Sequence, residues 1–263
     1  MNRVIICLCL AWSLATVPAS ALAKQPARDM PAQTVDNAAP LKGISFRVLR
    51  VIYAESARDK GTLTVDNETA APYLMQSWVR PVDPQTGGVD SSWSGKPEMP
   101  FIITPPLARL EPHASLTVRL RRTNLPLPQD RESVFFISMR ALPAQETPQR
   151  KDQLVMTVVS NLKLFYRPAG LAEKAIQDAA PQLTFRREGS TLVAVNPTPY
   201  WLTFSQLKVG QLEFDKPALR LMVPPKGEQR FHLASDPLEG AVVAWKLIDE
   251  DGWNTAEIQQ ALL

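Results

Sequence analysis

Two basic side chains sit where a strand-forming sequence would ordinarily place apolar ones. Across residues 45–53 the apolar parity changes: Phe46 and Val48 alternate on one face, then Leu49, Val51 and Tyr53 on the other. Arg50 falls on the face that Phe46 and Val48 had occupied, and either a bulge or a strand crossing between sheets explains the switch. Lys163 is enclosed in the same way by Leu162, Leu164 and Phe165. A lone basic residue in a strand usually snorkels or pairs with an acid. Two of them converging on one cleft would instead form a carboxylate site held by charge-assisted hydrogen bonds.

Other chemistry finds little support. The chain has only two histidines. His113 follows Glu111-Pro112 as a turn residue, and His232, between Phe231 and Leu233, reads as a surface strand residue. No strand–G-x-S-x-G–helix unit, glycine-rich phosphate loop or clustered set of metal ligands occurs, so neither catalysis, nor a metal, nor a cofactor is expected. Asp249-Glu250-Asp251-Gly252 lacks the spacing of a calcium loop and reads as an acidic turn. A net charge of +3 is too small to argue for nucleic acid.

The segment Gln153–Tyr166 contains neither Pro nor Gly. Leu154, Met156 and Val158 share one face, while Val155 and Val159 flank Thr157 on the other. A central strand covered on both sides fits this pattern. So does an edge strand whose apolar row waits for a partner, an aggregation hazard unless a partner regularly adds a strand there.

These residues must be held by β-structure. With 24 Pro spread over 263 residues, long coiled coils and most helical bundles are ruled out. Arg3, the apolar run Val4–Val17 and the small-x-small site Ala21-Leu22-Ala23 predict a signal peptide over 1–23 and a mature chain from Lys24. Both cysteines, Cys7 and Cys9, lie in the removed part, and no later stretch is long and apolar enough for a membrane span. Residues 24–41 read as a flexible leader. Short strands follow at Ile44–Tyr53, Gly61–Asn67, Tyr73–Val79, Phe101–Thr104, Ser115–Arg121, Ser133–Met139 and Gln153–Tyr166. That density of strands and turns is the pattern of an immunoglobulin-like sandwich.

After Pro168-Ala169-Gly170 comes a short helix or linker over Leu171–Ala180. Strands then resume at Leu183–Arg186, Thr191–Val195, Tyr200–Leu207, Ala218–Val223, Gln229–Leu233 and Val242–Ile248. The second half echoes the first. Asn67 followed by Pro72-Tyr73 parallels Asn196 followed by Pro199-Tyr200, and Pro112 precedes its strand as Pro225 does. The expected architecture is all-β, with two related sandwiches over 42–168 and 169–263.

Four segments in order carry a resemblance: Pro105–Pro112, Leu127–Ser133, Lys163–Pro168 and Asn196–Tyr200. They resemble signature segments of the periplasmic pilus-assembly chaperones of the chaperone–usher pathway, from about Ile44 to Gly252. The resemblance implies two immunoglobulin-like domains in an L or boomerang arrangement. It also implies a periplasmic chaperone that lends a strand to incomplete pilin subunits and passes them to an outer-membrane usher, without stable membrane insertion. On this likeness Leu154, Met156 and Val158 match donor-strand residues, and Arg50 and Lys163 match the anchor of the subunit's C-terminal carboxylate. Glu132, Arg167 and Glu250 match an interdomain salt-bridge cluster, with Asp249 or Asp251 as alternatives to Glu250. Strict parity sets Lys163 opposite Leu154, which calls for a bulge or strong twist near Asn161. The leader is longer than short-loop chaperones carry, whereas the short polar segment Leu142–Lys151 favours that type. Two other classes compete. A secreted adhesin or carbohydrate-binding module would need exposed aromatics from Trp78, Trp93, Trp201, Trp245 and Trp253, most of which read as core. A hydrolase has too few histidines.

Overall fold

Alternation places the strands. In Thr62–Asn67 the residues Leu63, Val65 and Asn67 are buried while those between them face outward. In Ser115–Arg122 the buried residues are Val118 and Leu120, and Arg119 and Arg121 are exposed. The computed structural model describes residues 43–57, 61–144, 157–234 and 241–262. The expected signal peptide and leader lie outside the described residues, as do Leu154 and Met156.

The first half holds β1 (Ile44–Phe46), β2 (Arg50–Ala54), β3 (Thr62–Asn67), β4 (Tyr73–Arg80), β5 (Phe101–Thr104), β6 (Leu107–Leu110), β7 (Ser115–Arg122), β8 (Ser133–Pro143) and β9 (Val158–Arg167). They form two sheets ordered β1-β3-β7-β5 and β2-β9-β8-β4-β6. The core between the sheets includes Leu63, Val65, Ile137, Leu164 and Tyr166, with Tyr53 edge-on to Phe101 at 5.0 Å. The change of parity before Arg50 is a strand crossing. The β1 strand pairs antiparallel with β3 in one sheet, then β2 pairs parallel with β9 in the other, and Val48 and Leu49 are exposed in the crossing.

The second half begins with the short helix α1 (Ile176–Ala179). It continues through β10 (Thr184–Glu188), β11 (Thr191–Asn196), β12 (Leu202–Val209), β13 (Leu212–Glu213), β14 (Met222–Val223), β15 (Gly227–His232), β16 (Val242–Leu247) and β17 (Ile258–Ala261). Its sheets run β10-β11-β15 and β13-β12-β16-β17, with β14 paired to β12. Phe185, Phe204, Phe231, Trp245 and Leu247 fill the core, and the Phe185 and Trp245 rings lie 4.8 Å apart. The protein is thus nearly all β, built from two immunoglobulin-like sandwiches.

Several expectations need correction. No bulge interrupts β9 near Asn161, because its ladder with β8 runs unbroken from Ala141↔Val158 to Ser133↔Tyr166. Lys163 and Val158 therefore sit on opposite faces by simple alternation. The stretch Ala218–Val223 is a 3-10 turn over Ala218–Arg220 followed by the two residues of β14. The strands β6, β13 and β17 were not anticipated, since each is only two to four residues long. Of the five tryptophans expected to lie mostly in the core, only Trp245 is buried, while Trp253, in a hairpin turn, is 74% exposed.

The echo between the halves has a physical basis. The Asn67 side chain donates to the carbonyls of Ala71 and Glu111 and accepts from the amide and hydroxyl of Thr69. Asn196 does the same with Tyr200, Pro224 and Thr198, at 2.7–3.0 Å. The turns after Pro112 and Pro225 each hold a non-glycine residue at positive φ, His113 at 57° and Lys226 at 52°. Each asparagine thus ties a strand end to the loop beside the opposite turn. Replacing Asn196 with Ala would orphan buried backbone groups, each costing roughly 1–3 kcal/mol. The expected loss is about 3 kcal/mol in urea unfolding. A change below about 1 kcal/mol would show that this loop does not hold the second sandwich.

Candidate functional site

Because β2 begins at Arg50, its parallel ladder with β9 starts at the pair Arg50↔Lys163 and ends at Ala54↔Arg167. On its other side β9 is paired with β8 from Val158 to Tyr166. The part of β9 from Val158 to Leu162 is therefore paired on one edge only among the described residues. Val158 there is 64% exposed. The even-numbered residues Leu162, Leu164 and Tyr166 face the first core, and Asn161 and Lys163 face away from it, into a cleft against the second sandwich.

That cleft holds a cavity of about 280 Å³ lined by Arg50, Asn161 and Lys163 from the first sandwich and by Thr203, Ile248 and Asn254 from the second. Arg50 is only 8% exposed. It donates from Nη1 to the carbonyl of Ile248 at 3.0 Å and stands over the ring of Phe165 at 5.3 Å. Burial draws its pKa down to about 10, against the pull of Glu250, Glu132 and Asp249. Burial, followed by the neighbouring Arg50, pushes Lys163 down to about 7. Two cations facing one cavity across a β-ladder make a site that an anion would stabilise. Val158 lies outside this cleft, lining an apolar opening of the first sandwich with Ile44, Phe46 and Met139.

Directly beyond the cationic pair, Arg167 is buried to 1% exposure. Its Nε donates to Glu132 at 2.8 Å, and its Nη1 donates to Glu250 at 2.9 Å and to the carbonyls of Ala172 and Glu173. The guanidinium also stands 4.7 Å above the Tyr200 ring. The second oxygen of Glu132 accepts from the amide of Trp201 at 2.7 Å, and Glu250 accepts from the amides of Ala175 and Ile176. The cluster thus binds the first sandwich to the second at two points, Trp201 and the turn carrying Glu250. Of the three acids considered for this position, Glu250 reaches Arg167. Asp251 meets the exposed Lys174, and Asp249 closes its own turn through the amides of Asp251 and Trp253.

Sequence reasoning missed Thr203, Asn161, Phe165 and Ile248. Asn161, Lys163 and Phe165 alternate along β9, so the period-two pattern that flagged Lys163 could have found its neighbours. Ile248 contributes a backbone carbonyl, which no sequence pattern announces.

Two sandwiches joined by a buried ionic cluster, with a paired cationic site in the cleft and an open strand edge beside it, define a binding scaffold. Residues 43–172 match the family described as the pili and flagellar-assembly chaperone, PapD N-terminal domain, and residues 178–259 match the pili assembly chaperone PapD, C-terminal domain. Similar curated proteins include the chaperone protein FimC of Escherichia coli strain K12, 34% identical over 212 residues, covering 80% of each chain. Another is the chaperone protein LpfB of Salmonella typhimurium, 35% identical over 213 residues, covering 80% of this chain and 85% of that one. Among solved structures, the Salmonella enterica SafA pilin in complex with the SafB chaperone matches with a TM-score of 0.69 and 26% identity, over 86% of this chain and 99% of the other. The chain belongs to the pilus-assembly chaperone family. It is a chaperone of pilus assembly rather than an enzyme, and the adhesin reading is not favoured. Among the described residues no helix is long and apolar enough to cross a membrane.

Two measurements follow from this geometry. Arg167→Ala would leave Glu132 buried without its counter-charge, and chemical unfolding is expected to register a loss of about 3–5 kcal/mol. An unchanged unfolding midpoint would mean that the cluster does not join the sandwiches. The depressed pKa of Lys163 gives a second test. Between its folded value of about 7 and the ordinary 10.5, the unfolded chain binds a proton that the folded chain does not. Stability from this group is therefore full above pH 10.5 and is lost as pH falls toward 7. The difference in stability between the native chain and Lys163→Met should vary with pH across this window, and a constant difference would refute the depressed pKa.

Proposed function

We propose that this chain is a periplasmic chaperone that receives a pilin subunit along the free edge of β9 and passes it to an outer-membrane usher. In this reading residues 1–23 are removed on export, and domains over 42–168 and 169–263 flank the cleft. The subunit's C-terminal carboxylate is held by Arg50 and Lys163, and Leu154, Met156 and Val158 fill the groove of its incomplete sheet. Glu132, Arg167 and Glu250 fix the angle between the domains. The relatives support the partner class: SafB is described in a complex with a pilin, and several related proteins are fimbrial chaperones.

The observation that carries the reading is where the unpaired edge stops. It runs along Val158–Leu162 and ends where β2 begins, at the two cations. A strand that pairs with this edge and ends in a carboxylate at Lys163 must run parallel to β9. Its main-chain hydrogen bonds give affinity that depends little on subunit sequence, and the alternating apolar residues give selectivity. The anchor sets register, because a one-residue slip would turn the apolar row away from the groove.

Removing one charged partner from a desolvated site typically costs about 2–5 kcal/mol. Arg50→Ala and Lys163→Ala are accordingly expected to abolish pilin capture in pulldown and fibre assembly in cells, while both variants remain folded. Pilin shortened by a few C-terminal residues should fail to bind the unaltered chaperone. Undiminished capture of the shortened pilin, or of intact pilin by the two variants, would remove Arg50 and Lys163 from the mechanism.

A further inference from the structure

On the second sandwich's wall of the cleft, Thr203 lies in β12 between the buried Leu202 and Phe204, whose side chains belong to the second core. Thr203 is 4% exposed, yet its hydroxyl has no hydrogen-bond partner among the described residues. Leaving a buried hydroxyl unpaired is costly, so such a group in a native fold calls for a reason. Thr203 lines the same cavity as Arg50 and Lys163. Its backbone is tied to the peptide that holds Arg50: the amide of Ile248 donates to the Thr203 carbonyl at 2.9 Å, and the carbonyl of Ile248 accepts from Arg50. Two residues further on, the ladder with β16 shifts register between Phe204 and Gln206, leaving Ser205 unopposed. Bulges of this kind re-aim side chains beside binding sites.

The chemistry of the expected ligand supplies the reason. A carboxylate has two oxygens and about four acceptor positions. Arg50 and Lys163 approach from the first sandwich, leaving acceptor positions toward the opposite wall. A hydroxyl can donate there without adding charge. We propose that the Thr203 hydroxyl is a third donor to the carboxylate held by Arg50 and Lys163, so that the anchor is completed by both sandwiches. The inference rests on the reading of the cleft as a C-terminal carboxylate anchor. Specificity follows from it: a carboxylate satisfies the hydroxyl and both cations together, whereas a C-terminal amide brings its own donors against them.

The test uses the full mature chain and an N-acetylated alternating valine–threonine peptide ending in a free carboxylate, alongside its C-terminal amide. The unaltered protein should prefer the free acid. Thr203→Val keeps the shape and removes the hydroxyl; it should weaken acid binding roughly tenfold to a hundredfold and leave amide binding unchanged. Thr203→Ser should restore acid binding. Thr203→Ala, which demands no room, takes the place of the valine variant if that protein does not fold. A purely structural role would lower both peptides equally, and that outcome overturns the inference. So does undiminished acid binding by Thr203→Val when Arg50→Ala and Lys163→Ala lose it, a result that leaves the anchor standing. Equal binding of acid and amide by the unaltered protein overturns the anchor and this inference together.

Discussion

The two sandwiches depend on one guanidinium. Arg167 ends β9, the strand shared by the free edge and the cationic pair, and it reaches Glu132 before β8 and Glu250 on the hairpin of the second sandwich. Placing a charge at 1% exposure is unfavourable unless all its donors and counter-charges are supplied. Two carboxylates and the carbonyls of Ala172 and Glu173 accept from Nε and Nη1 here. Glu250 is in turn fixed by the amides of Ala175 and Ile176, so the first turn of α1 belongs to the same network. A buried hydrophobic contact would permit sliding between the two bodies. In the proposed reading a network with fixed donor directions restricts their geometry, as buried polar groups do in some systems.

That fixed geometry matters because the hairpin bearing Glu250 also forms one wall of the cleft. Ile248, which holds Arg50, and Glu250, which holds Arg167, are two residues apart on opposite sides of one turn. Gly252 in the same turn stands at φ +90° against Leu49, where an added Cβ would already be in contact at 3.5 Å. The ionic cluster and the cationic pair are therefore held by the same turn, through the Ile248 carbonyl and the Glu250 carboxylate.

The sequence was most informative where a single period governed the residues. Strand positions in β3, β4 and β7 followed from alternation, and the crossing before Arg50 showed as a change of parity. Repeated asparagines disclosed the kinship of the halves, since each plays the same part in its loop. What stayed hidden depends on tertiary contact. Trp253 was one of five candidate exposed aromatics, most of which read as core, and the turn geometry puts it in solvent. Asp249, Glu250 and Asp251 are chemically alike in sequence, and the hydrogen bonds of one hairpin distinguish them. Lys163 called for a bulge or strong twist because strict parity sets it opposite Leu154. A strand with its own core on one side and a second sandwich on the other needs none. Thr203 gave no signal at all, being an ordinary strand residue until a cleft is built over it.

The cationic pair runs against stability. Burial depresses both Arg50 and Lys163, and each lacks a carboxylate within ion-pair distance among the described residues. An apolar pair at these positions would satisfy a covered strand better, as β4 and β8 do with their inward residues. The exposed apolar edge at Val158 and Val159 is unfavourable in the same way, inviting adventitious strand pairing. In the proposed reading, two local violations at the two ends of one open edge are explained together by a transient partner that brings a strand and a carboxylate at once. In that reading the strand would cover the edge, and the carboxylate would neutralise the pair where that edge stops. Neither feature alone would select such a partner, because an open edge accepts many strands and a cationic pair many anions. Their fixed separation along β9 would favour, in the proposed reading, chains whose pairing strand ends at the carboxylate.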